Sequence, residues 1–290
     1  MLKVIKILYW IFNVVVITAL LAIHFVLKER SYADSINFYA RPLPLIILIV
    51  LLLAVFLKKR KYHLILAAIL LFIWLGRSFK IHIPETIKPS DLEVVFWNAS
   101  RENGFEDAFI ESESVPDVLV LVESEKNNIE KLQSKYPNNF FYKLKNEIYI
   151  FSKTEINIKS ENTSKYNSTV VNFNTKGINF YAVDATGSFD VPRSWEFAYI
   201  NSIIKKEPKT IVLGDFNVPF ESKHLNKMKT DFNHAFNKKG DGFRETWFWN
   251  LPLLSLDHIW VSKDLKILKT QKIGTFKSDH SMLKTYIKHQ

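Results

Sequence analysis

The stretch Ile211-Val212-Leu213-Gly214-Asp215-Phe216-Asn217-Val218-Pro219 organises this chain. An apolar run ends in Gly214, an acid and an amide follow two residues apart, and Pro219 closes the turn. On an extended backbone residues i and i+2 point the same way, so Asp215 and Asn217 aim a carboxylate and an amide at one small volume. Gly214 lets a second backbone or a ligand come close at the strand end. Taken alone, the stretch is equally a strand leaving the core through a polar turn, because Asp and Asn are ordinary turn residues. The rest of the chain decides between the two.

Around it, residues 91–290 read as short strands separated by polar turns. Strands are expected over 92–97, 118–122, 148–151, 256–261 and 281–287, and a strand pair over 169–173 and 178–183 joined by Asn174-Thr175-Lys176-Gly177. Helical spacing marks 106–112, 195–204 and the region near 222–229. Many strands with a few interleaved helices predict a mixed α/β domain.

Five of these strands end in, or begin with, an acid, an amide or a histidine: Asn98, Glu123, Asp215 with Asn217, Asp257 with His258, and Asp279 with His280. Sites gather where strand ends meet loops. Carboxylate and amide oxygens suit a hard divalent cation such as Mg²⁺, or Mn²⁺ in its place, and no His-x-x-x-His or Cys cluster suggests zinc. A histidine paired with an aspartate is the usual general base. Together these parts suit metal-assisted hydrolysis of a phosphate ester. Singly, Asn98, Asp257-His258 and Ser278-Asp279-His280 also read as polar turns. Glu123, which closes the run Val118-Leu119-Val120-Leu121-Val122, is harder to place without a function.

The 290-residue chain has no Cys, which excludes disulfides and thiolate chemistry. Its net charge of +10 suggests nucleic acid until its distribution is read. Residues 1–90 hold 12 Lys/Arg against 3 Asp/Glu, whereas residues 91–290 hold 27 against 26. The larger part is almost neutral and carries no concentrated basic stripe, so charge does not support nucleic acid as a partner.

The basicity instead flanks three apolar runs over 7–27, 42–57 and 62–76. The first is long enough to span a bilayer, with Tyr9 and Trp10 near one end. The other two are short, but flanking Lys and Arg snorkel and bilayers thin locally. A buried or re-entrant hairpin is their alternative. A cleaved signal peptide fits the first run poorly, because no small-x-small site follows it. The expectation is a membrane region over 1–80 with three transmembrane helices, a linker over 81–90, and a catalytic domain over 91–290. The cations tie between the two sides. The dense turn Lys58-Lys59-Arg60-Lys61 is hard to translocate and is therefore placed in the cytoplasm, which puts the catalytic domain outside.

The polar strand ends occur in a telling order: Phe96-Trp97-Asn98, Pro116-Asp117 through Glu123, Ile148 through Ser152, Gly214-Asp215-Phe216-Asn217, Leu256-Asp257-His258-Ile259 and Ser278-Asp279-His280. In that order they resemble the endonuclease/exonuclease/phosphatase superfamily of Mg²⁺-dependent phosphoesterases, which includes deoxyribonuclease I, abasic-site endonucleases, sphingomyelinases and inositol-polyphosphate phosphatases. The resemblance covers nearly all of 91–290. It implies a four-layer α/β sandwich, two mostly antiparallel sheets face to face with helices outside. It implies that Glu123 is the main metal ligand with Asn98 beside it. Asp215 and Asn217 orient water and phosphate, His280 is the base or phosphate-binding imidazole held by Asp257, and Asp279 lies in or next to the metal shell. A form with about three N-terminal spans resembles a bacterial subgroup, hence a multi-pass protein of the inner or plasma membrane with the lipid bilayer as partner.

One departure stands out. Many members carry a histidine where this chain runs Tyr181-Ala182-Val183-Asp184. A carboxylate at that point repels phosphate unless it is protonated or holds a cation. Asp184 therefore marks a second metal, an altered substrate, or a site weakened into a binding module; a metal-dependent nuclease is the other rival. Arg193 reads as a solvated loop residue or a phosphate clamp. Trp247 and Trp249, beside Arg244, read as core or as the lining of a substrate groove.

Overall fold

Alternating apolar residues on neighbouring strands build the larger of two compact units. A computed structural model describes residues 2–57 and 60–288, and the chain divides into Met1–Phe79 and Lys80–Gln290. The strands that build the two large sheets of the second unit are, in chain order, β1 (Leu92–Arg101), β2 (Val118–Ser124), β3 (Phe140–Lys143), β4 (Tyr149–Ser152), β5 (Asn157–Thr163), β6 (Thr169–Thr175), β7 (Ile178–Asp184), β8 (Thr210–Asp215), β9 (Phe232–His234), β10 (Asp257–Ser262), β11 (Ile267–Ile273) and β12 (Met282–Ile287). Among the described residues they form two six-stranded sheets, ordered β11-β12-β1-β2-β4-β3 and β9-β10-β8-β7-β6-β5. Each is antiparallel except for one central parallel pair, β1 with β2 and β7 with β8. A parallel pair needs a crossover. The helices Phe105–Glu111 and Arg193–Ile203 lie in the two crossovers.

Val94 and Phe96, Val118 to Val122 at every second residue, Phe180 and Ala182, Ile211 and Leu213, and Ile259 and Val261 form one buried layer between the sheets. Outside the first sheet, Val95, Trp97, Leu119, Leu121, Tyr149 and Phe151 pack on Phe105, Ala108, Phe109 and Leu132. Outside the second, Phe197 stacks on Phe216. This is the expected four-layer α/β sandwich. Burying one such side chain is worth about 1.5–3 kcal/mol, so the layer can carry the polar groups in which it ends.

Those groups follow from the period of two. Phe96 leads to Asn98, Ala182 to Asp184 and Leu213 to Asp215, while Asp257 precedes Ile259. The apolar layer thus turns polar at one end of the sandwich. There Asp184 stands opposite Asp215 in the register of β7 and β8, and Asp215 opposite Asp257 in that of β8 and β10. Gly214 permits this approach: a Cβ there would lie 2.0 Å from the Val183 carbonyl oxygen.

In the first unit, helix Leu2–Leu21 runs into a π-helical segment Ala22–Leu27, and Lys61–Ser78 is a single helix. Both are long and apolar enough to cross a membrane. The run expected to span over 42–57 is different. Pro42 cannot continue a helix, so a new one starts behind it, Leu43–Ala54, bent by 68° from Tyr32–Ala40. Its 12 residues reach about 18 Å, short of a bilayer core. The bent pair makes a third crossing only as a broken span. Leu20, Leu43, Ile46, Val50, Ala67 and Leu70 pack together, while Trp10, Phe12, Phe56 and Phe72 face outward. Lys58 and Lys59, half of the cation turn used to read orientation, lie outside the described residues.

Candidate active site

Asn98, Glu123, Asp215, Asp257 and His280 meet in one cluster of hydrogen bonds and ion pairs where the inter-sheet layer ends. His280 Nδ1 lies 2.8 Å from Asp257 Oδ2 and 3.9 Å from Asp215 Oδ2. Asn98 Nδ2 donates to Asp215 Oδ2 at 3.0 Å and to Glu123 Oε1 at 2.9 Å, and so ties the two sheets together. Trp97 Nε1 donates to the His280 carbonyl at 3.1 Å, which fixes the backbone that carries the imidazole.

Backbone at the site leaves the regular strand conformation. Ser100, Arg101, Glu123 and Asn217 are left-handed, with φ of 47°, 61°, 46° and 50°. Such positions cost on the order of 1 kcal/mol or more each and persist where surrounding bonds over-determine them. At Asn217 the backbone N–H donates to Asp215 Oδ1 at 2.8 Å and the side-chain Nδ2 to the Ala185 carbonyl at 2.6 Å, while Ser188 Oγ donates to the Asn217 carbonyl. Asn217 therefore holds the turn onto the end of β7.

Charge is crowded here. Burial, then the charge of Asp257, pushes Asp215 up to about 7, against the pull of His280 and the hydrogen bonds from Asn217 and Asn98. Asp184 is raised well above the usual carboxylate range by desolvation and by Asp215 and Glu123. Burial works against a charged His280, but Asp257, Asp215 and Asp279 outweigh it and push the imidazole up to about 10. At neutral pH His280 is thus the cation of the cluster, and burial with the facing acids favours the protonated form of Asp184.

The donor set fits a hard divalent cation. Ligand atoms of Asp215, Asp257 and His280 all lie within 4.8 Å of one another. Asp257 Oδ1 is buried and has no hydrogen-bond partner among the described residues. His280 pairs with Oδ2, but the buried Oδ1 keeps an unsatisfied acceptor, and an oxygen-seeking cation removes that deficit. Glu123 joins this set through Asn98. Asp279 is already occupied: Oδ1 accepts from Ser100 Oγ at 2.6 Å and Oδ2 from Trp247 Nε1 at 2.8 Å.

Three further side chains are now placed. Arg193 is buried and donates to the carbonyls of Thr186, Gly187 and Val191, so it builds the loop after β7 and neither lies in solvent nor clamps phosphate. Arg244 is buried against Glu221 and Asn237 and over the Phe220 ring. Trp247 reaches Asp279, whereas Trp249 is 43% exposed.

Sequence reasoning missed Ser100, which buttresses Asp279, and the pair His234 and His258. Asn237 N–H donates to His234 Nδ1, His234 Nε2 lies 3.1 Å from His258 Nδ1, and His258 Nε2 lies 3.1 Å from the Val218 carbonyl. One proton arrangement satisfies all three bonds, with each ring neutral and its Nε2 the donor. Burial pushes His258 down to about 4 and His234 well below its ordinary value. The pair holds Val218, the residue after Asn217, from behind. The signal was His258 itself, which sits beside Asp257 and so faces away from the cleft.

Residues 96–280 match the model of the Endonuclease/Exonuclease/phosphatase family. The chain belongs to this family. Solved structures share the fold. A Bacteroides thetaiotaomicron endonuclease/exonuclease/phosphatase family protein superposes with a TM-score of 0.53 at 16% identity, covering 69% of this chain and 98% of its own. A mannosyl-6-phosphatase of the same organism gives 0.52 at 16%, covering 68% and 100%. D. rerio TDP2 complexed with single-strand DNA product gives 0.51 at 14%, covering 69% and 100%. At these identities the likeness concerns the fold. No curated protein matches the sequence. Endonuclease/exonuclease/phosphatase proteins are in general hydrolytic phosphoesterases that use a divalent metal.

Proposed function

We propose that this chain is a membrane-anchored phosphoesterase, dependent on Mg²⁺ or Mn²⁺, that hydrolyses a phosphodiester or phosphomonoester. The observation that carries the reading is the His280–Asp257 pair at 2.8 Å with the Asp215 carboxylate 3.9 Å from the same nitrogen. The facing acids raise both groups together, Asp215 to about 7 and His280 to about 10, so near neutral pH a carboxylate that can accept a proton stands beside an imidazolium. Asp215 is poised to take a proton from water near neutral pH. His280, held charged through Nδ1, presents Nε2–H to a phosphate oxygen and stabilises the charge of the pentacovalent transition state. Asp184, whose protonated form burial and the facing acids favour, donates a hydrogen bond where a carboxylate would repel. In the hydrolysis the water oxygen bonds to phosphorus, its proton passes to Asp215, the P–O ester bond breaks, and the leaving oxygen takes a proton from solvent.

Glu123 and Asn98, with the unpartnered Oδ1 of Asp257, would hold the metal, and Asp279 supports them from behind. When bound, the metal offsets phosphate charge and polarises the phosphoryl group. The apolar helices would anchor the catalytic unit; counting the bent pair as one crossing makes three spans, and a cytoplasmic turn at 58–61 would then put that unit outside a bacterial inner or plasma membrane. A reporter fused after Gln290 tests the orientation. The near-zero charge of residues 91–290 argues against a nuclease.

The test is turnover of a generic phosphodiester and a phosphomonoester by the full chain with Mg²⁺ or Mn²⁺. Activity that disappears in Glu123→Ala and His280→Ala supports the reading. Turnover unchanged in both variants overturns it, and no turnover with either metal favours a binding module.

A further inference from the structure

An aromatic rim stands beside the site and serves no core. Trp247 donates through Nε1 to Asp279 and packs its ring 5.0 Å from that of Phe248, which lies 6.0 Å from Trp249. Phe248 is 38% exposed, Trp249 43%, Leu251 55% and Phe276 85%. The loop is built to hold them there. Trp249 and Asn250 are left-handed, at φ 50° and 62°, a strained state for a bulky residue. Trp249 N–H donates to the Asp279 carbonyl, and the Asn250 amide bonds both the Thr275 carbonyl and Ser281 Oγ. On the other sheet, Phe189 is also exposed, one residue after Ser188, which donates to Asn217. Apolar side chains that flank a phosphate-handling site ask for a substrate with an apolar part.

We infer that this rim docks on a lipid surface and that the site takes amphiphilic phosphate esters presented there; the inference rests on the phosphoesterase reading above. Two observations choose lipid over nucleic acid. Aromatic platforms for single strands come with a basic groove, and residues 91–290 carry almost no net charge. The same chain carries helices long and apolar enough to cross a membrane, which keep a bilayer at high effective concentration. Tryptophan settles at membrane interfaces, and Trp, Phe and Leu make up the face that interfacial segments bury in the headgroup region.

The chain has no Cys, so Leu251→Cys gives a single labelling point for an environment-sensitive dye. The full chain carrying it is placed in nanodiscs with and without brominated phosphatidylcholine. Quenching by bromolipid is expected, and its loss in a Phe248→Ser, Trp249→Asn background, where Asn suits the left-handed backbone. A dye that is not quenched, or quenching that the double variant leaves intact, overturns docking, as does protection of the dye by a single-stranded oligonucleotide rather than lipid. In parallel, kcat/KM is measured for phosphatidic acid and phosphatidylglycerol against glycerol phosphate and glycerophosphoglycerol, their deacylated counterparts. The acylated esters are expected to be better by about tenfold or more, with the double variant losing that advantage while holding the deacylated rates within about twofold. Equal rates on both sets, or equal losses, overturn the substrate class. Quenching without turnover of any ester overturns the phosphoesterase reading, and the substrate class with it, while lipid docking stands.

Discussion

Asp215 and Asp257 face each other across β8 and β10, and both address the same nitrogen of His280, at 3.9 Å and 2.8 Å. The antiparallel register puts the two carboxylates on one face, and the charge of Asp257 raises the proton affinity of Asp215. Replacing Asp257 by Asn removes the partner of the imidazolium. We expect kcat to fall by about 100-fold or more while KM stays within about threefold. Steady-state kinetics on a soluble phosphodiester check this.

The same geometry sets a pH profile. Activity needs Asp215 deprotonated and His280 protonated. The rate should therefore rise as pH passes about 7 and fall as it passes about 10; both apparent values belong to the coupled cluster. In Asp257→Asn the negative charge that raised both groups is gone, so both limbs move to lower pH. A profile of kcat/KM from pH 5 to 11 measures the direction.

Asp184 offers a sharper comparison. Desolvation and the facing acids raise the Asp184 carboxyl well above the usual carboxylate range, and Asn is nearly the isostere of its protonated form. Asp184→Asn should keep turnover within about fivefold, since a single hydrogen-bond donor is retained. Asp184→Ala should lose about tenfold or more by removing that donor. A large loss in the Asn variant, accompanied by weaker metal dependence, would mean that the carboxyl works as a charged ligand.

At Gly214 the limit is steric. A Cβ would sit 2.0 Å from the Val183 oxygen and 2.8 Å from the Val183 Cβ, and the first of these is backbone that cannot rotate away. Gly214→Ala must therefore spread β7 from β8, the strands that end in Asp184 and Asp215. Overpacking of this kind costs about 1–3 kcal/mol. Thermal unfolding and kcat should fall together in this variant.

The sandwich was legible because its central strands are strict in their pattern. Val118 to Val122 is apolar throughout, with one face against the other sheet and one against helices. The edge strands were not legible for the opposite reason. Asn157–Thr163 lies at the margin of its sheet, is mostly polar, and has no buried face to impose alternation. The short helix Tyr32–Ala40 announced itself only by a capping box, Ser31 with Asp34. At the site, the residues that touch one another were readable as polar breaks in apolar rows. Their supports were not, because Ser100 and Trp247 converge on Asp279 only through the left-handed end of β1 and a distant loop. Arg193 misled in both of its readings, since a buried guanidinium that satisfies backbone carbonyls looks, in sequence, like any loop arginine.

The His234–His258 pair yields the last prediction. Both rings are buried and neutral in the fold, each accepting at Nδ1 and donating at Nε2, so a proton on either removes an acceptor that its neighbour needs. The folded value for His258, about 4, lies below the unfolded 6.5. Between these values the unfolded chain binds the extra proton and the folded one does not, so stability rises with pH across that window. The contribution is complete above pH 6.5, is lost as pH falls to about 4, and amounts to roughly 3 kcal/mol. His234 acts in the same direction and extends the loss further down. In His258→Phe the slope between pH 4 and 6.5 should flatten to the part that His234 supplies. The same variant frees the Val218 carbonyl and with it the turn that holds Asn217, so kcat should drop even at pH 8, while His258→Gln, which keeps a donor, should recover part of it. Thermal midpoints of the two proteins across pH 4 to 8 test the linkage. Parallel slopes would show that His258 is not buried in its neutral form.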